Sequence, residues 1–456
     1  MTTSLFVISD LHLGGAENFQ MCSAAGRKRL VKFVHWVATQ KAQGEELRLV
    51  INGDIVDFLA EVNPEGGYSA FIADEDQAVA TLERIAQSCE DVFAALKRLL
   101  AAGGGLVLLL GNHDIELSFP KVRQELLRRL GPGHIEFIYD NEAYPCGPVL
   151  IEHGNRYDAW NMVNHGRLRA VCSAFSRRQK AASFPAQPGS ELVARVMNPI
   201  KEIYGFVDLM KPETGAVVPM LPLLDAAKWK SAEQTLRQKI EAWQRDRFTE
   251  EGVPVDSDYI AGEEVSDSAP VELPAEFKGP LDQAAEIARE VLDGRGDCVG
   301  WLQELPARAL LKGFRSRRKS LDSTFAVEVE DPEYLTPAQA LASRGFKVVL
   351  FGHTHLAKRV ALEGSSIYLN TGTWADLIRL PAGIYEADED AAFKLFQVFL
   401  DDVKNNRIDG YRRQVATFAC VRLDAQGALF EADANFFDDD GSVSPISTVG
   451  LSQRLA

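Results

Sequence analysis

Asp, Asn and His recur in this chain where short apolar runs stop. "SLFVIS" (4–9) leads into Asp10-Leu11-His12, and residues two apart on an extended chain point the same way. "LRLVING" (47–53) is followed by Asp54 and Asp57, and "GLVLLLG" (105–111) by Asn112, His113 and Asp114. "PVLIEHG" (148–154) carries His153, and "KVVLFGH" (347–353) ends at His353 with His355 two residues on. Five of the eight histidines therefore stand directly after an apolar run. Carboxylates gathered in one place repel one another and resist burial. Divalent cations satisfy them, and a mixture of oxygen and nitrogen donors suits Mn, Fe, Zn or similar metals. Gly53, Gly111, Gly154 and Gly352 beside these residues permit tight turns and close backbone approach.

The apolar runs are continuous rather than alternating, as in strands covered on both faces. Helix-length segments, 27–40 and 76–104, separate the first three, with apolar residues at three- and four-residue spacing. Alternating strands and helices predict an α/β architecture, in which ligands gather at the carboxyl ends of the strands. The expected organisation is a core over 1–165, a mainly helical, cap-like insertion over 166–340, a second part of the core over 341–440 and a loose tail over 441–456. Within the insertion, 249–280 is acidic and proline-bearing and reads as a loop. A β-hairpin is expected around Ala425-Gln426-Gly427.

With 456 residues and a formal net charge of −16, the chain can bury a large core and offers no broad basic face for nucleic acid. The basic runs 176–180 and 314–320 read as solvated helix faces. Six scattered cysteines without a CxxC pair suit reduced thiols. The first residues enter an apolar strand at once, and no apolar run reaches the length of a membrane span. The expectation is a cytoplasmic protein, with peripheral membrane contact left open and the oligomeric state unspecified.

Taken in order, Asp10-x-His12, Gly53-Asp54-x-x-Asp57, Gly111-Asn112-His113-Asp114, His153-Gly154 and Gly352-His353-x-His355 resemble the motifs of the calcineurin-like metallophosphoesterase superfamily. The resemblance covers about 1–160 and 345–435. It implies a four-layer α/β sandwich holding two divalent ions, with Mn²⁺ expected and Fe, Zn, Ni or Mg as alternatives. One ion would take Asp10, His12, Asp54 and His355, and the other Asp54, Asn112, His153 and His353, so that Asp54 bridges. A hydroxide activated by both ions would attack phosphorus in line. In that family the histidine at the position of His113 stabilises the transition state or protonates the leaving oxygen, and Asp114 is expected to orient it. Asp57 reads equally as a partner behind the ligands or as a helix N-cap.

Asn155 and Arg156 follow His153 closely enough to bind substrate; Tyr157, Asp158 and Asn161 could line the same pocket, and a surface ion pair is the alternative for Arg156. Trp374 in "NTGTWAD" (370–376) is expected to pack in the core or to stack on substrate. The texts "GDIVDF" and "GNHD" differ from those of serine/threonine protein phosphatases. The "SDLHL" opening is similar to that of bacterial UDP-2,3-diacylglucosamine pyrophosphatases, although many of those carry Arg at the position of His113 and have a far smaller insertion. The expected activity is hydrolysis of a phosphodiester or pyrophosphate in a small molecule or nucleotide-lipid. A nuclease, or a non-catalytic scaffold on the same fold, is the alternative.

Overall fold

The computed structural model describes residues 2–16, 20–42, 45–211, 217–248, 275–293, 304–316, 325–448 and 450–455. Its strands are β1 (Thr2–Ile8), β2 (Glu45–Asn52), β3 (Gly105–Leu109), β4 (His134–Ile138), β5 (Tyr144–Cys146), β6 (Val149–Ile151), β7 (Val348–Phe351), β8 (Ala357–Ala361), β9 (Ile367–Thr371), β10 (Thr417–Leu423), β11 (Leu429–Phe437) and β12 (Val443–Pro445). They form a seven-stranded sheet, ordered β12-β11-β10-β1-β2-β3-β4, and a five-stranded sheet, ordered β5-β6-β7-β9-β8. β1, β2, β3 and β4 run parallel, as do β6, β7 and β9, so each sheet presents its carboxyl ends along one rim.

Two-sided burial explains the continuous apolar runs. Phe6, Ile8, Leu49, Ile51, Leu106 and Leu108 face the helices α1 (Ala24–Thr39), α2 (Glu75–Ser88), α3 (Glu90–Ala101) and α4 (Pro120–Leu130). The intervening Leu5, Val7, Val50, Val107 and Leu109 face the second sheet through Val149, Ile151, Val348, Leu350 and Leu369. On the outer side of that sheet Val349, Phe351 and Tyr368 pack under the helix Pro332–Ser343 through Tyr334 and Ala338. Helix, sheet, sheet and helix make four layers. The expected α/β sandwich is the observed one.

Helices α5 (His165–Ser176), α6 (Pro188–Leu192), α7 (Asn198–Lys201), α8 (Val218–Phe248), α9 (Ala275–Asp293) and α10 (Glu304–Ser316) follow β6. Packing crosses the expected divisions at 165 and 341. Leu168 and Val171 of α5 join the helix side of the first sheet, and Phe325 and Val327 join the space between the sheets. Conversely Phe393, Phe396, Phe399 and Val403, from the helix Glu389–Lys404, share a separate core with Met197, Leu221, Trp229 and Phe314. An amphipathic helix has the same periodicity whichever core it covers, so periodicity could not place these edges.

Of the acidic stretch 249–280, residues 249–274 lie outside the described residues, while 275–280 open α9 rather than a loop. The tail is not loose: β12 pairs with β11, and Ile446, Leu451 and Leu455 are buried between the sheets. The hairpin is present, with Asp424 N donating to Ala428 O at 2.9 Å. The five described cysteines are free. Among the described residues no helix is long and apolar enough to cross a membrane.

Candidate metal centre

The loops leaving β1, β2, β3, β6 and β7 bring the sequence-predicted ligands together. Asp10, His12 and His355 form one buried group, and Asp54, His153 and His353 form another. In each, the ligand atoms lie within 4.8 Å of one another. Asp54 faces both groups, with Oδ2 3.3 Å from His153 Nε2 and 3.7 Å from His12 Nε2. Its other oxygen accepts the backbone N–H of His113 at 2.8 Å.

Backbone strain marks the same residues. Asp10 (φ 55°), His12 (43°), Asp54 (50°), His353 (70°) and His355 (63°) all adopt the left-handed region, which costs a non-glycine residue about 1–2 kcal/mol. Such strain persists only where the surrounding structure enforces it, and it concentrates at functional sites. Here the enforcing bonds include Leu11 N and His12 N to Asp54 O, at 2.9 and 3.0 Å, and His353 N to Asp10 Oδ2 at 3.0 Å.

Close approach also fixes two glycines. A Cβ on Gly53 would lie 2.3 Å from His153 Nδ1, and one on Gly111 would lie 2.0 Å from Asp54 Oδ1 and 2.5 Å from Asp54 N. Gly111→Ala is therefore expected to displace Asp54, lowering thermal stability by about 1–3 kcal/mol and metal content with it. Thermal unfolding with and without Mn²⁺ checks this, since the variant should lose the metal-induced rise in Tm.

Hydrogen bonding assigns the free lone pairs. His153 Nδ1 donates to Asn52 O at 2.7 Å, which leaves Nε2 without a hydrogen bond although it is buried. Asp57 accepts from His12 Nδ1 at 3.3 Å and from His113 Nδ1 at 3.2 Å. Burial opposes ionisation of Asp57, but His113 and His12 hold its carboxyl far below the usual range. An ionised carboxylate carries no proton, so both histidines must donate to it through Nδ1 and keep Nε2 for other tasks. His12 Nε2 lies 2.9 Å from His355 Nε2. Asp10 Oδ1 and Asn112 Oδ1 are likewise buried without a hydrogen-bond partner. Orphaned carboxylate and imidazole acceptors within these groups, with the orphaned Asn112 amide oxygen on the loop after β3, fit two divalent cations.

Asp57 thus fulfils both of its sequence readings, because it also caps the short helical turn Phe58–Ala60 through Ala60 N. Asp114 is corrected. Its oxygens accept Gly111 N and Ile55 N, each at 2.7 Å, so it ties the β3 loop to the β2 loop, and Asp57 is the carboxylate on His113. Burial and the nearby Asp54 push Asp114 up to about 8. Asn155 is buried and donates to Asn161 O at 3.0 Å. Arg156 pairs with Glu152 at 3.3 Å, the ion-pair alternative. Trp374 packs its ring 5.0 Å from Phe33 and donates Nε1 to Thr417 O, which is the core reading.

Two partners escaped the sequence reading. Asp158 Oδ2 faces His353 Nε2 at 2.9 Å, although the sequence placed Asp158 only near the pocket. Lys211, a buried lysine of the insertion, carries no motif. Its backbone N–H donates to Ile378 O, and burial first and the Lys211 charge second push His355 down to about 3.

These loops follow the parallel strands in the order of the five motifs, and Asp54 of one ligand group lies 3.7 Å from His12 of the other. Residues 3–180 match the calcineurin-like phosphoesterase family model. No curated protein matches the chain. The matched residues include α5, in keeping with the packing of that helix on the first sheet. His353 and His355 lie beyond the matched residues, and the fold returns them to the same rim.

The electrostatics give a pH dependence. Burial disfavours the imidazolium of His153, but Asp54 and Asp10 more than offset this and lift it to about 9. A ligand nitrogen must be unprotonated, so Mn²⁺ displaces a proton here at any pH below that value. Affinity measured by titration calorimetry should rise about tenfold per pH unit between pH 6.5 and 9 from this group, with proton release visible as a buffer-dependent enthalpy. A flat affinity across that window contradicts the assignment.

Proposed function

We propose that this protein is a metal-dependent phosphohydrolase acting on a phosphodiester or pyrophosphate bond of a small molecule or nucleotide-lipid. The observation that carries the reading is the pair of adjacent ligand groups, with Asp54 in one and 3.7 Å from His12 of the other, and His113 held beside them by Asp57. Asp10, His12, Asp54 and His355 would hold one cation and Asp54, Asn112, His153 and His353 the other, with Mn²⁺ the expected metal. When bound, such a pair supplies Lewis-acid activation of water and neutralises charge on the phosphoryl oxygens.

The chain's own residues supply the rest. Asp57 holds His113 Nδ1 and so directs Nε2, on the opposite side of the ring, to the proton transfer with the leaving oxygen. Ionised Asp57 also stabilises the imidazolium, the form that can donate that proton. Lys211 adds a cationic group from the insertion near His355, where an anionic substrate would approach. The overall charge of −16 favours a small substrate over a nucleic acid. The large insertion, and the opening similar to UDP-2,3-diacylglucosamine pyrophosphatases, make a nucleotide-lipid the finer proposal.

Hydrolysis of bis(p-nitrophenyl) phosphate with added Mn²⁺, compared with p-nitrophenyl phosphate, tests class and preference together. The diester should turn over faster, and activity should vanish with a chelator. Should no phosphate ester react with Mn²⁺, Fe²⁺, Zn²⁺, Ni²⁺ or Mg²⁺ supplied, the hydrolase reading fails. A panel of nucleotides, nucleotide sugars and UDP-lipids then separates the substrates.

A further inference from the structure

The loop after β6 carries hydrogen bonds that the proposed reaction does not use. Asn112 Nδ2 donates to Asn161 Oδ1 at 3.3 Å, and Asn161 Nδ2 donates to Asp158 Oδ2 at 2.7 Å. The same Asp158 oxygen meets His353 Nε2 at 2.9 Å, which leaves Nδ1 as the ligand nitrogen of that ring. Trp160 N to Asp158 Oδ1, at 2.8 Å, and Asn155 Nδ2 to Asn161 O, at 3.0 Å, fix the loop itself. A continuous chain of side chains therefore joins Asn112, on the rim of the first sheet, to His353, on the rim of the second. Both belong to the cation position built on Asp54 and His153. The other position is braced differently, through Asp57 behind His12.

The insertion rests on this loop. Gly189, in α6, donates its N–H to Trp160 O at 2.6 Å. A Cβ there would fall 2.2 Å from Asn161 Oδ1 and 2.9 Å from Trp160 O, so the seat accepts only a glycine. The docking continues along the loop after β2, where Asn198 Nδ2 donates to Leu59 O at 2.7 Å and Tyr68 donates to Glu202 at 3.0 Å. Carboxylates behind a ligating histidine fix its tautomer and raise its basicity, and losing such a partner typically weakens metal binding 10- to 100-fold, on the order given for other sites.

We infer that Asp158 and Asn161 are positioning residues for one of the two cation positions, and that seating of the insertion at Gly189 sets their geometry. Occupancy of the full pair then depends on a docked insertion. The inference rests on the dinuclear reading above, and its test separates the two.

The full-length protein is loaded with Mn²⁺, its metal counted by elemental analysis after gel filtration and its coupling read by electron paramagnetic resonance. Wild type should hold two ions with the spectrum of a spin-coupled pair. Asp158→Asn and Asn161→Ala should keep one ion at unchanged affinity and bind the second about 10- to 100-fold more weakly, giving the six-line signal of isolated Mn²⁺. Gly189→Ala should show the same selective loss, and should add less in the Asn161→Ala background, where the oxygen it strikes is gone. If Gly189→Ala yields no soluble protein, the two loop variants decide. Two coupled ions in both loop variants, or equal weakening of both ions, overturn the inference. A wild type that never binds a pair overturns the dinuclear reading instead.

Discussion

Asp54→Asn should reduce Mn²⁺-dependent hydrolysis of bis(p-nitrophenyl) phosphate by about 10³-fold or more, a loss expected when one residue serves both members of a cooperating pair. The carboxylate lies 3.3 Å from His153 and 3.7 Å from His12, so one substitution reaches both ligand groups. Asparagine tolerates the left-handed backbone at φ 50° and preserves side-chain shape, which isolates the lost charge from a folding defect. Bound metal, measured in parallel, should fall below that of the wild type. Activity within tenfold of wild type at full metal content would show that Asp54 does not bridge.

The second expected result concerns the proton. His113→Gln should lower kcat by about 10²–10⁴-fold, the usual worth of a positioned general acid, while leaving metal content unchanged. The loss should be smallest with p-nitrophenolate as the leaving group, which departs without help, and largest with an alkoxide. Asp57→Asn should reproduce much of this fall, because the acceptor of the His113 Nδ1 proton is removed, and should also weaken metal binding through His12. An equal loss for both leaving groups would assign His113 to charge stabilisation alone.

The rim that gathers the Asp and His side chains is more legible in the sequence than the core each helix joins. Ligand-type residues directly after apolar runs identify a rim because a parallel strand has one destination for its carboxyl end; Asp10, Asp54, His153 and His355 meet there, and Asn112 follows β3 in the same way. Partners behind the ligands are less legible. Asp57 and Asp114 each follow a ligand motif, and only the folded loops show that the nearer neighbour in sequence bonds backbone amides while the distant one holds His113. Closeness to His153 places Asp158 and Asn161 near the pocket, but their partners His353 and Asn112, and the contact of Asn161 with Gly189, lie at distances along the chain that no spacing reveals. Lys211 belongs to an insertion without a motif, so only the backbone pairing with Ile378 discloses its neighbourhood. Helices Glu389–Lys404 and α5 changed sides for a similar reason: amphipathic faces state that something covers them, not what does.

The first strand pairs on one flank with β2 and on the other with β10, at Thr3–Val7 against Ala419–Leu423. Asp10 is thus borne by a segment whose second neighbour lies more than 400 residues further along the chain and leaves the ribosome correspondingly later. At about 5–20 residues per second, that hydrogen-bonding flank stays unmatched for some tens of seconds in a nascent chain. During this interval the newborn polypeptide exposes an adhesive apolar ribbon, and chaperone capture should be heaviest on ribosomes stalled short of the hairpin.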